Sequence, residues 1–147
     1  MEKRIQDFML HQEASLKDNE KYVLLKAGRG RGENGEVYID AITFSYIEGL
    51  LWDKYRGYGT RKKTKILSSE WNRIIDGFDE GISGLRSKND GDDLKKVLKF
   101  NLVNPKNSLE DLNGHLSELE KLIEEMNDWL KVQVKEEKFI TIVKEYL

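Results

Sequence analysis

Gly30, Gly32 and Gly35 spell G-x-G-x-x-G within GRGRGENGEVYI (residues 28–39), and Val37 stands where a kinase-type glycine loop carries its valine. Such a loop grips phosphate with backbone amides. It needs a helix opening directly after it or, in the kinase form, two flanking strands with a following lysine, an H-R-D and a D-F-G. The residues after Gly35 read as strand, and the kinase companions are missing from a chain of 147 residues. The stretch therefore reads as a hairpin connection. Gly and Asn accept positive φ there, while Arg29 and Arg31 keep the tip soluble and remain available to a partner.

Groups suited to catalysis are sparse. His11 falls in an amphipathic segment and His115 beside a leucine-rich seam, so each reads as an ordinary surface or boundary histidine. G-x-S-x-G, H-E-x-x-H, P-loop and EF-hand spacings are absent. NDGDD (89–93) resembles a calcium loop in composition alone, without alternating ligand positions or a closing bidentate Glu. Asp40 has no E-x-K strand near it with which to build a metal-dependent nuclease. The chain has no Cys, which excludes disulfides, zinc ribbons and thiol catalysis and permits a reducing compartment. The expectation is a non-enzymatic protein without catalytic residues, metal or cofactor.

Two charged constellations could bind a macromolecule. Lys54, Arg56, Arg61, Lys62, Lys63 and Lys65 interleave with Tyr55 and Tyr58, and no acidic residue interrupts them. Cations neutralise phosphates and planar rings stack on bases, so this stretch, with Arg29 and Arg31, is the candidate nucleic-acid surface. Six cations can equally solvate an exposed loop or pair with an acidic helix, and the net charge of −2 counts against a dedicated nucleic-acid binder. The second constellation is Glu110, Asp111, Glu118, Glu124 and Glu125, which share one flank of a helix. From Ser108 to Leu130 there are seven carboxylates and one Lys. Such a flank can imitate phosphate toward a basic target and steer its approach. The function expected is a small protein-binding module of inhibitor or immunity-protein type, acting through this acidic flank on one macromolecular partner. Nucleic-acid binding through residues 54–65 is the alternative.

The elements that must carry these groups are legible as periods. Ile5, Phe8, Met9 and Leu16 share a side at helical spacing, which predicts an N-terminal helix. KYVLLKA and EVYIDAITFSYI, dense in β-branched and aromatic residues, predict two antiparallel strands, the second running from Glu36 to Tyr46. Residues 47–67 are the least regular stretch. A helix opens at Ser68 or Ser69, with Trp71, Ile74, Ile75, Phe78, Ile82 and Leu85 on one face and Gly77, Gly81 and Gly84 on a stripe about 100° away. Either another segment packs closely on that stripe, or the helix frays there. A short helix follows from Asp92, with Leu94, Val97 and Leu98 on one side, and stops before Pro105.

The clearest element opens at Ser108, which forms a capping pattern with Asp111. Leu109, Leu112, Leu116, Leu119, Ile123, Met126 and Leu130 then follow at steps of three and four. Leu122 and Trp129 widen this seam, so it suits a core better than a two-stranded zipper. A monomer is favoured, and homodimerisation through the seam is the secondary possibility. VQVKEEKFITIVKEYL fits helix through Phe139, Ile142, Val143 and Tyr146, and strand through VQV and TIV; helix is the expectation for 132–147. The fold class predicted is α+β, one domain over 1–147: a small antiparallel hairpin or sheet packed with several helices, including a long heptad-patterned C-terminal helix. Without a signal-like apolar run or a membrane-length span, a soluble, cytoplasmic protein is expected.

Overall fold

The computed structural model describes residues 8–12, 16, 21–28, 35–55, 58, 62–87, 98 and 115–144, and among these residues four strands and three helices follow one another. The strands are β1 (Tyr22–Ala27), β2 (Glu36–Asp40), β3 (Lys63–Leu67) and β4 (Phe139–Val143). The helices are α1 (Ala41–Lys54), α2 (Ser68–Ser87) and α3 (Leu116–Glu136). The sheet runs β2-β1-β4-β3 and is antiparallel throughout. Lys26 faces Glu36 across β1 and β2, so the strands predicted on either side of the glycine-rich stretch are antiparallel neighbours. Gly28 opens that stretch at φ 55°, donating its N–H to the Phe139 carbonyl at 2.8 Å. This is a left-handed conformation natural to Gly.

The second strand is shorter than predicted. It ends at Asp40, whose carboxylate accepts the Thr43 N–H at 3.1 Å and its hydroxyl at 3.3 Å, capping α1. Ala41–Tyr46, rich in residues that favour strands, is therefore helical, and so are residues 47–54, expected to be irregular. Thr43, Phe44, Ser45, Tyr46, Ile47, Gly49, Leu50 and Leu51 are all buried. A helix buried nearly all round shows no amphipathic period, and strand-favouring composition fills the gap in the reading. The basic stretch is consequently no continuous loop, since Lys54 closes α1 and Lys63 and Lys65 belong to β3.

The C-terminal segment is also corrected. Phe139–Val143 is not helix but β4, bonded to β1 on one side and β3 on the other. Both periods are present in its sequence; the slot between two strands decides for the extended one. The N-terminal segment departs from prediction as well: among its described residues no helix forms, and His11 makes a β-bridge to Tyr38 with both N–H···O distances 2.9 Å. Ile5, the short helix from Asp92 apart from Leu98, and the capping pair Ser108 and Asp111 lie outside the described residues. α3 runs past Leu130 to Glu136.

The three described helices pack on one face of the sheet. Val23, Leu25, Ala27, Val37, Ile39, Ile66, Ile140 and Ile142 meet Trp71, Ile74, Phe78 and the α3 seam there. Leu119, Leu122, Ile123, Met126 and Leu130 have no exposure, so the described part of the seam is core; Leu109 and Leu112 lie outside the described residues. Each such side chain contributes about 1.5–3 kcal/mol by burial. Trp71 Nε1 donates to the Ile140 carbonyl at 3.1 Å, fixing α2 over β4. The glycine stripe is a close contact rather than a fraying end. A Cβ at Gly77 would lie 2.7 Å from Lys54 Cγ, and one at Gly81 2.8 Å from Leu50 Cδ1, so α1 settles into the stripe. Among the described residues no helix is long and apolar enough to cross a membrane.

Candidate functional site

Strand pairing arranges the second face of the sheet as a grid. Tyr38, Leu24, Val143 and Lys63 form one row across the four strands, and Glu36, Lys26, Thr141 and Lys65 the next; Phe139 and Leu67 complete the array. Alternation along each strand puts these residues on the face opposite the main core cluster, where Val143 is itself buried and Leu24, Lys26, Tyr38 and Phe139 are half-buried. Leu67 is 56% exposed. Lys63 and Lys65 are exposed, and the Lys65 ammonium lies 4.1 Å from the centre of the Phe139 ring. At one end Tyr22 is buried, with His11 and Tyr38 set edge-on to it.

The opposite side of the molecule is acidic. α2 and α3 lie antiparallel, tied by Arg86 to Glu120 and Glu124 at one end and by Asp79 to Asn127 and Lys131 further along. Asp76, Asp79 and Glu80 of α2 are exposed beside Glu118, Glu124, Glu125 and Asp128 of α3. A groove of about 300 Å³ runs between the helices, lined by Asp79, Ser83, Arg86, Glu124, Asp128 and Lys131 among others. At its floor the buried Asn127 donates to the Ile75 carbonyl at 3.1 Å and to Asp79 at 2.9 Å; its Oδ1 is buried without a hydrogen bond. Hydrogen bonding to Glu120, aided by its charge, raises the Arg86 pKa further above the ordinary guanidinium range.

A third cluster lies under the end of the sheet. β4 alternation sends Lys144 to the core side, where its ammonium meets Glu48 of α1 at 3.2 Å and lies 4.3 Å from the centre of the Tyr58 ring. Tyr58 donates to the same Glu48 carboxylate, and Trp52 packs edge-on against its ring. Burial, reinforced by the Glu48 charge and hydrogen bond, drives the Tyr58 hydroxyl above the ordinary phenol range.

The predicted site residues are thus scattered. Glu118 is exposed and pairs with His115 at 3.2 Å, Glu124 pairs with Arg86 at 3.4 Å, and Glu125 is exposed. Glu110 and Asp111 lie outside the described residues, as do Arg29, Arg31, Arg56 and Arg61. Of the basic set, Lys54 is paired with Glu80 at 3.4 Å, Tyr55 is half-buried against the core, and Lys62, Lys63 and Lys65 are exposed. Tyr58 is 2% exposed and cannot offer its ring to a base. His115 stacks on Phe8 with centroids 5.4 Å apart, and Asp40 is occupied as a helix cap.

Sequence reasoning missed the contribution of α2 to the acidic face and that of Lys26, Tyr38 and Phe139 to the open face. The α2 carboxylates were legible as polar positions between the apolar ones; the open-face set depended on pairing across strands. Among the described residues, no three His, Asp or Glu side chains are placed to hold a metal ion. Comparison with known proteins finds no matching family model, no matching curated protein and no matching solved structure.

Proposed function

We propose that the protein is a non-enzymatic protein-binding module, of inhibitor or immunity-protein type, which uses the outer face of α2 and α3 to engage a basic protein surface. The observation that carries this reading is the clustering of exposed carboxylates from two antiparallel helices around one groove. Arg86 and Lys131 bridge parts of this surface, and Glu118, Glu125 and Asp76 extend it beyond those bridges. Carboxylates held on packed helices keep their positions without a partner, so a cationic surface is steered to a preformed pattern.

Affinity capture from host extract, repeated after nuclease treatment, tests this reading with E118K/E125K as the matched variant. Both positions are exposed, so circular dichroism should show an unchanged fold. Wild type is expected to retain a basic protein after nuclease, and the variant to bind it with a slower, less salt-sensitive on-rate. Capture and kinetics indifferent to the reversal would remove the α2–α3 face from the interface.

A further inference from the structure

We infer that the open face of the sheet is a binding platform for single-stranded nucleic acid, independent of the acidic face behind it. Lys26 and Lys65 flank Thr141 in one row, two strand spacings or about 10 Å apart. Lys63 stands two residues from Lys65 on the same side of β3, about 7 Å away. The array therefore holds three ammonium groups on two strands, with half-buried Tyr38, Phe139 and Leu24 and exposed Leu67 as the apolar ground between and around them. Glu36, which faces Lys26, is the one carboxylate in the array, and Glu137 lies beside Gly28 at its margin.

Each nucleotide brings a charge and a planar ring together, and this surface offers cations and planar rings together. The Lys65 ammonium against the Phe139 ring puts both kinds of contact within reach of a single nucleotide. An acidic peptide would answer the lysines alone. Protection of a sheet edge explains Lys63 and Lys65, because among the described residues β3 pairs with β4 alone; it does not explain Lys26, which sits on the interior strand β1.

The net charge of −2 does not describe this face. Among the described residues most carboxylates lie on α2 and α3, across a layer of about 10 Å, and the Debye length is about 8 Å at physiological ionic strength. The lysines are therefore felt locally by a ligand on the sheet.

Fluorescence anisotropy of the full chain with a labelled 15-nucleotide oligothymidine, its duplex counterpart and oligoglutamate, each over a salt series, tests the inference. Wild type is expected to bind the single strand at least ten-fold more tightly than the duplex or oligoglutamate, with affinity falling as salt rises. K26Q/K63Q/K65Q should reduce the salt slope by about 2, because each single-strand phosphate contact contributes about 0.7. F139L retains apolar bulk while removing the ring; it should weaken binding about ten-fold and leave the slope unchanged. E118Q/E125Q, on the other face, should leave oligothymidine binding as in wild type. Thermal melts of all variants separate lost binding from lost folding, and F139L carries the test if the lysine variant melts early. Absence of saturable binding at low salt, oligoglutamate binding as tight as oligothymidine, or an unchanged salt slope in a folded lysine variant would overturn the inference.

Discussion

Glu48→Gln isolates the charge in the Lys144–Glu48–Tyr58 cluster, because Gln preserves shape and can still accept the Tyr58 hydroxyl. The partners are 4% and 14% exposed, so water does little to screen the ammonium once the carboxylate 3.2 Å away is neutralised. Removing one member of a buried pair costs about 3–5 kcal/mol. The partial exposure of Glu48 and the ring contact retained by Lys144 place the expected loss at the lower end, about 3 kcal/mol. For a chain of this size that loss corresponds to a fall in Tm of roughly 6–12 °C. Urea denaturation at pH 7 with thermal melting provides the assay, alongside E48L/Y58F/K144M, in which all three polar groups are replaced together. Because desolvation no longer opposes folding there, the triple variant should recover most of the loss and can exceed wild type. A loss below about 0.5 kcal/mol in E48Q would show that the pair is screened, refuting the reasoning that burial governs the cluster.

Tyr58→Phe should change how stability depends on alkaline pH. The folded-state phenol pKa is raised, so its contribution is fully present below the unfolded value of about 10 and is lost as pH rises above it, at up to about 1.4 kcal/mol per pH unit; denaturation at pH 8 and 11 should show a shallower decline in the variant. Ile123→Ala should cost about 2–5 kcal/mol by urea denaturation, since Ile123 has no exposure. Unchanged unfolding together with loss of a dimer in light scattering would instead make the seam an oligomer interface. Gly28→Ala should cost about 1–3 kcal/mol, because φ is 55° and a Cβ would run into the Glu137 side chain; equal midpoints for variant and wild type would refute this.

Local periodicity determined much of this protein by itself. α2 and the described part of the seam keep a polar side toward water, so Trp71, Ile74, Phe78, Leu119, Ile123 and Met126 advertise their burial through spacing alone. The pairing of β1 with β2 was legible for a similar reason, since the glycine-rich stretch between them carries the local composition of a hairpin connection. The acidic flank was half legible: Glu118, Glu124 and Glu125 follow from the helix, whereas Asp76 and Asp79 join them only once α2 and α3 pack antiparallel.

Tertiary structure decided what has no local signature. α1 is buried almost all round and lost its period, so strand-favouring residues from Ala41 to Tyr46 concealed a helix that Asp40 caps. Phe139–Val143 satisfies both periods and became a strand because β1 and β3 supply hydrogen-bond partners on both its edges. Tyr58 looked like a ring available to nucleic acid, yet it closes over Glu48, ten residues back, and Lys144, at the far end of the chain. The open-face array depends most on tertiary structure. Lys26, Lys65, Tyr38 and Phe139 come from four strands, and strand register, a relation between distant segments, is what places them together.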